Sequence, residues 1–546
     1  MNRYLSLILA PALILAAAAD ADACTSLIAA KGATTDGSTM ITYAADSHTL
    51  YGELYKQDAA DHPAGSMRKI IDWDSQRYLG EIPEVAHTYA RTGNMNEHGL
   101  TIAESTWGGR PELAGSGLID YGSLIYIALE RATTAREALK VMTDLVAEYG
   151  YASEGESFSI ADADEVWILE LIGKGKTDPG AVWVARRVPD GCISGHANHA
   201  RIHTFPLKGD KYTKYSPDVI SFARSQGLYD GPDKEFDFSR AYAVTDLGAL
   251  RGCDGRVWAY YNKFLAPGTA DEWIPWITRG EGDPMPLWVE PERKVSADDL
   301  KWMMRDHFEG TPLDMTLDPG AGPYKVPYRW RPLTYKVDDK TYTNERAIAT
   351  QQTGFSFVSN MNAGRHPAMR AVLWFGVDDA NTCVYIPVFN SNTTVPRELA
   401  QGNGDLYTLS WDAMFWVNNY VANQAYNRYS QMIPDIRRVQ ERHERALTAA
   451  VDSIAATLPA TAAVAEVSGA LDALTLAAAA DVTRDYKALG DYLLVKYLDG
   501  NVKKETAPGQ FERTPEGTPV YPDFPGYDER YYRSIVESEG DRLRVE

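Results

Sequence analysis

The stretch CTSLIAAKGATTDGSTMITYAADS, residues 24–47, holds two apolar runs separated by turn-forming residues. Leu27–Ala30 and Met40–Ala45 have the length of short strands, and Asp36-Gly37 between them supplies the tip of a hairpin. The residue that opens the stretch, Cys24, follows Ala21-Asp22-Ala23, a small-x-small pattern of the kind a signal peptidase cuts. Ahead of it Arg3 gives a short basic start, and Leu5–Ala19 is apolar apart from Ser6 and Pro11. That run is shorter than the roughly 20 residues needed to cross a bilayer. Residues 1–23 are therefore predicted to be a signal peptide, the protein to be exported to a periplasmic or extracellular space, and Cys24 to become the N-terminus. Two alternatives stay open at this point. Cleavage a few residues earlier would leave Cys24 internal, and a lipoprotein signal would load Cys24 with acyl chains, making a lipid-anchored binding protein without a free thiol. Against the second, Ala21 stands where a lipoprotein signal carries a large aliphatic residue.

The 546 residues are 45% hydrophobic and 24% charged, enough to bury a large core. A net charge of −21 repels phosphate backbones and anionic lipids and so argues against nucleic-acid binding. Only four cysteines occur, so the fold is not a disulfide scaffold. With Cys24 set aside, Cys192, Cys253 and Cys383 allow at most one bridge, of undetermined pairing.

Working outward, residues 88–106 (TYARTGNMNEHGLTIAEST) read as a second hairpin about Asn96-Glu97-His98-Gly99. Residues 122–149 read as helical, with Thr134 and Glu137 as a capping box and Ala138, Leu139, Met142, Leu145 and Val146 on one face. Strands return at 157–173, 181–191 and 193–202, and again at 355–362 and 371–389, whereas 207–345 shows few clean periods. From Trp411 the chain turns helical, alanine-rich over 445–490, and the proline-rich segment from Ala507 to Tyr532 reads as an extended surface tail. The pattern predicts an α+β fold of stacked sheets with helices outside, divided into residues 24–405 and a helical C-terminal region, 406–546.

Among chemistry-bearing residues, His196, His199 and His203 are spaced by three and four, which on a helix could hold zinc; their surroundings read as strand, where that spacing points to different faces. No serine-hydrolase elbow, phosphate loop or His-Glu-x-x-His pattern occurs. A liberated Cys24 needs none of these. A free α-amine has a pKa of roughly 7.7–8.0, so it can accept the thiol proton near neutrality, and one residue then supplies both nucleophile and base.

Residues 24–47 resemble the start of the dipeptidase A and secernin family of N-terminal-nucleophile cysteine hydrolases. The resemblance continues in family order through TAREALKVMTDLVAEYG (134–150), ADADEVWILEL (161–171), VWVARRVPDG (182–191), ANHARI (197–202), RDHFEGTPLD (305–314), VLWFGVDD (372–379) and ALGDYLLVKYLDG (488–500). It implies an αββα sandwich with a mostly helical C-terminal extension, and hydrolysis of dipeptides or related small amides without a metal or organic cofactor. Carried over residue by residue, it implies Cys24 as nucleophile and Asp46 as the acid that holds amine and thiol in register. The side-chain amide of Asn198 becomes an oxyanion donor, the related penicillin and bile-salt acylases place the other donor at the backbone N–H corresponding to Thr106, and Arg256 becomes the nearby arginine, with Arg251 as its rival. The chain departs from the family at Tyr43, where an arginine is usual, and at Ala45, where a glutamate is. A cation beside the sulfur would lower its pKa from about 8.5, which Tyr43 cannot do. The expected activity is that of an exported cysteine dipeptidase acting on small peptides, with no nucleic-acid or integral-membrane partner and a homo-oligomer left open. An acylase of N-acyl amides, such as acyl-homoserine lactones or conjugated bile salts, is the enzymatic alternative.

Overall fold

The computed structural model describes residues 24–208 and 210–546, so the signal peptide expected at 1–23 lies outside the described residues. The strands that position the site are β1 (Ser26–Ala29), β2 (Thr39–Asp46), β3 (Thr101–Gly108), β4 (Gly155–Ala161), β5 (Val166–Gly173), β6 (Ala181–Arg187), β7 (Ile193–His196), β8 (Thr353–Met361), β9 (Ala371–Val377) and β10 (Ile386–Phe389). The opening hairpin forms as read: β1 and β2 pair antiparallel, Ile28 opposite Ile41, and the Asp36 carboxylate accepts from the N–H of Ser38 at 3.2 Å beside Gly37, whose φ is +72°. Every residue of β2 is buried, because the hairpin sits in the middle of a sheet rather than at an edge.

Two large antiparallel sheets result. In the first the order is Trp288–Val289, β7, β1, β2, β8, β9, β10; in the second, Thr213–Tyr215, β6, β5, β4, β3, then the short segments Met95–Asn96, Arg91–Thr92 and Lys56–Gln57. Small hydroxyl side chains link the two. Ser26 Oγ lies 2.9 Å from Ser159 Oγ, and Thr101 Oγ1 lies 2.9 Å from Ser359 Oγ. His196 spans the same gap, with Nδ1 2.6 Å from Ser105 Oγ and Nε2 2.8 Å from Ser159 Oγ. Both ring nitrogens are thus satisfied without a charge, as a buried polar group requires. Burial, helped by the Arg201 cation, pushes the imidazolium pKa down to about 3.

Helices α1 (Tyr121–Arg131) and α2 (Ala135–Tyr149) pack on Phe158, Ile160, Trp167 and Leu169 of the second sheet. Residues 122–149 therefore form two helices, parted where Ala132 turns extended and Thr134 caps the next start by accepting from Glu137 N–H. The face from Ala138 to Val146 read from the sequence is buried. Helix α3 (Gly255–Phe264) lies against β7.

Helices α4 (Met414–Ala425), α5 (Tyr429–Thr457) and α6 (Val464–Lys496) pack on the β9–β10 side of the first sheet. Asn418 donates to Val377 O at 3.0 Å, Tyr385 N–H donates to Glu444 at 2.9 Å, and Thr475 donates to Pro387 O at 2.9 Å. The tail expected to be extended throughout ends in a helix, Glu529–Glu539, with no fully buried residue. Asp528 starts it by accepting from Tyr531 N–H at 2.8 Å, a cap that the proline-rich segment before it hid from a composition-based reading. Among the described residues no helix is long and apolar enough to cross a membrane, and all four cysteines are unbridged.

Candidate active site

Cys24 precedes β1 and is nearly buried, 6% exposed. Thr25 fixes it in place by a reciprocal backbone pair with Ala44, Thr25 N–H to Ala44 O at 3.2 Å and Ala44 N–H to Thr25 O at 3.0 Å. From the other side Arg256, on α3, donates through Nη1 to Cys24 O and to Thr25 Oγ1, both at 2.7 Å. Arg251, the rival candidate, points elsewhere and is paired with Glu345 at 2.8 Å.

The sulfur opens onto a cavity of about 850 Å³ lined also by Tyr43, Asp46, Glu104, Thr106 and Glu156. Sγ lies 3.3 Å from Glu104 Oε1 and 3.7 Å from the Tyr43 hydroxyl, and that hydroxyl also donates to Glu104 Oε1. Burial, then the charges of Glu104 and Asp46, push the thiol pKa well up, only partly offset by hydrogen bonds from the Asp46 main chain and Tyr43. The thiol therefore holds its proton at neutral pH and needs a base in contact with it before it can attack. Glu156, on the strand beside Glu104, is pushed well up by burial and by the Glu104 charge. Its Oε2 accepts from Thr106 Oγ1 at 3.1 Å.

Asp46 closes β2, and its carboxylate is engaged by other partners: Oδ2 accepts from Arg346 Nη2 at 2.5 Å and Oδ1 from Thr353 Oγ1 at 2.6 Å. It reaches Cys24 through its main chain and its charge. Asn198 follows β7 with φ +55°, a left-handed conformation that asparagine tolerates better than most residues. Its Oδ1 accepts from Arg256 Nη2 at 2.8 Å, and its Nδ2 donates to Thr106 O at 2.5 Å. One amide hydrogen is thus spent on the protein rather than aimed at a substrate, and Asn198 ties Arg256 to Thr106. On β3 the N–H of Ile102 points away from β4, to Asn94 O at 3.1 Å. The two-residue strand period turns Thr106 N–H to that same side, beyond Thr101, where the short neighbour Met95–Asn96 pairs with β3.

The three histidines do not converge. His196 lies between the sheets, whereas His199 Nδ1 meets Asp254 at 2.9 Å and His203 Nδ1 meets Asp237 at 2.9 Å. Sequence reasoning missed Glu104, Glu156 and Arg346. The available signal for Glu104 was a carboxylate within the strand-like TIAEST, next to the position read as an oxyanion donor. Further carboxylates line the cavity, among them Glu53, Asp72, Asp74 and Glu154, against the cations Lys56 and Arg91. Arg91 is already engaged by Glu130 at 2.7 Å.

Residues 23–442 match peptidase family C69. A protein named probable dipeptidase from Latilactobacillus sakei is 25% identical over 458 residues, covering 79% of this chain and 87% of that one. A probable dipeptidase from Salmonella dublin is 26% identical over 333 residues, 57% of this chain and 71% of that one. Dipeptidase A from Lactobacillus helveticus is 27% identical over 336 residues, 56% of this chain and 66% of that one. With a match spanning the buried cysteine, its cavity and most of both sheets, the chain belongs to peptidase family C69.

Proposed function

We propose that the protein is an exported cysteine dipeptidase whose nucleophile is Cys24, freed as the N-terminus by removal of residues 1–23. The observation that carries this reading is the Cys24 sulfur at the wall of an 850 Å³ cavity rich in carboxylates. It is supported by the dipeptidase names of the relatives and by a family match that begins at residue 23, one residue ahead of the cysteine. In this reading the two face-to-face sheets and their outer helices form an αββα sandwich of the N-terminal-nucleophile type, with residues 406–546 as its helical extension.

The cycle follows from the residues at hand. The Cys24 α-amine accepts the thiol proton as sulfur attacks the scissile carbonyl carbon, and a carbon–sulfur bond forms while the carbonyl electron pair moves to oxygen. In this reading Thr106 N–H and the Asn198 side-chain amide are the donors to the developing oxyanion; one such donor is typically worth about 10²–10³ in rate. Collapse expels the second amino acid as an amine, protonated by the Cys24 ammonium. Water, deprotonated by the same amine, then hydrolyses the thioester and restores the thiol. Arg256 and Asp46 position the cysteine without touching the substrate.

Intact-mass measurement and N-terminal sequencing of the exported protein, with dipeptide turnover by wild type and Cys24→Ser, test the proposal. A chain beginning at an unmodified Cys24 and a loss of at least about 10³-fold in the serine variant are expected. A blocked, acylated or earlier-starting N-terminus, or undiminished turnover, overturns it. Turnover of N-acyl amides alone would favour the acylase instead.

A further inference from the structure

The cycle above leaves the Glu104–Glu156 carboxyl pair unused. β3 and β4 are ladder neighbours with Thr106 opposite Glu156, and Glu104 lies two residues earlier on the same face of β3. The two side chains meet in the cavity wall, fully buried at 1% and 0% exposure, beside the sulfur. Glu156 Oε1 is buried with no hydrogen-bond donor among the described residues. Two carboxyls in such contact retain one proton between them, leaving about one negative charge. Glu104 Oε1 is 3.3 Å from Cys24 Sγ, so that charge stands at the point where sulfur meets substrate.

Covalent geometry then decides what belongs there. In a dipeptide the scissile carbonyl carbon and the free ammonium nitrogen are on one residue, about 2.5 Å apart. When sulfur approaches that carbon, the ammonium is brought within hydrogen-bonding reach of a carboxyl oxygen adjacent to the sulfur. An N-acylated substrate places an uncharged amide there and forgoes the charge-assisted hydrogen bond that an ammonium would make.

We propose that Glu104 and Glu156 together form the site that receives the α-ammonium of the substrate's N-terminal residue and so restrict the protein to peptides with a free amino terminus. This rests on the dipeptidase reading of Cys24. Glu104 carries the charge nearest the reacting carbon, and Glu156 sets the pair's protonation and supplies the second oxygen.

The test uses the mature protein with alanyl-alanine and N-acetyl-alanyl-alanine. Wild type is expected to prefer the free dipeptide by 100-fold or more in kcat/KM. Glu104→Gln and Glu156→Gln should each shrink the free-over-acetylated ratio of kcat/KM by about ten- to hundred-fold, the loss of a charge-assisted hydrogen bond, with any effect of the glutamine on the thiol itself cancelling in the ratio. Calorimetric titration of Cys24→Ala should give the same preference in binding, reduced when either glutamine is added. Glu156→Gln can still accept from Thr106 and carries the test should Glu104→Gln fail to fold. Equal losses on both substrates, as expected if the pair serves the cysteine's own amine, overturn the inference, as does a preference unchanged in both glutamine variants. If wild type cleaves dipeptides and Cys24→Ser does not, such a result removes the ammonium site alone; if wild type cleaves no dipeptide, the reading beneath it falls too.

Discussion

Arg256 Nη1 donates to the main-chain carbonyl of Cys24 at 2.7 Å, so the candidate nucleophile is held by its backbone from a helix 232 residues further along the chain. The same guanidinium serves Thr25 Oγ1, Ala197 O, Asn198 Oδ1 and Gly252 O. Arg256→Ala strands several buried acceptors, at about 1–3 kcal/mol each, and is expected to lower stability by at least about 3 kcal/mol in urea unfolding. Arg256→Lys should remain folded but, through a small displacement of Cys24 and Thr106, lose about 10²-fold in kcat/KM. Full activity in the lysine variant would show that the guanidinium fork is dispensable.

Tyr43 lowers the pKa of the Cys24 thiol through its hydrogen bond, against the larger upward effect of burial. In Tyr43→Phe that assistance is gone, so the midpoint of iodoacetamide alkylation should move to higher pH. For each pH unit of that movement the thiolate population at neutrality falls about tenfold. An unmoved midpoint would mean that the hydroxyl spends its hydrogen bond wholly on Glu104.

Asp46 pulls in two directions. Its buried pairing with Arg346 at 2.5 Å makes Asp46→Ala costly, about 3–5 kcal/mol by urea titration. Yet its negative charge raises the thiol pKa, so Asp46→Asn should move the alkylation midpoint to lower pH while it destabilises the fold. Opposite signs in the two assays distinguish this electrostatic effect from simple loosening of the site.

His196 gives the fold a sensitivity to acid. Its folded pKa, about 3, lies below the roughly 6.5 of an unfolded histidine. Above pH 6.5 neither state binds the proton and nothing is lost. As pH falls from 6.5 toward 3 the unfolded chain takes up a proton that the folded chain refuses, and stability drops by about 1.4 kcal/mol per pH unit from this group. His196→Gln should be less stable at neutral pH, yet its stability should decline between pH 6 and 4 with a slope smaller by about one proton than that of wild type.

The opening hairpin was legible because both its strands are apolar and an Asp-Gly pair marks the turn, all within 23 residues. The face of α2 was legible for the same reason: period and cap are local. Partnerships decided by the sheets were not. Thr106 and Glu156 meet across a ladder after 50 residues and two intervening helices, and Asp46 meets Arg346 after 300. Arg251 and Arg256 flank one helix start, and the choice between them depended on a π-helical turn over Gly248–Asp254 that sets which side chain turns inward. The direction of the Asn198 amide depended likewise on a positive φ that no neighbouring residue announces.

The helix Glu529–Glu539 fully buries none of its residues. For practical handling this makes the carboxyl-terminal end the natural place for an affinity handle, a fluorophore or covalent attachment to a support. A tag fused ahead of Cys24 would instead engage the one nitrogen that the proposed chemistry needs bare.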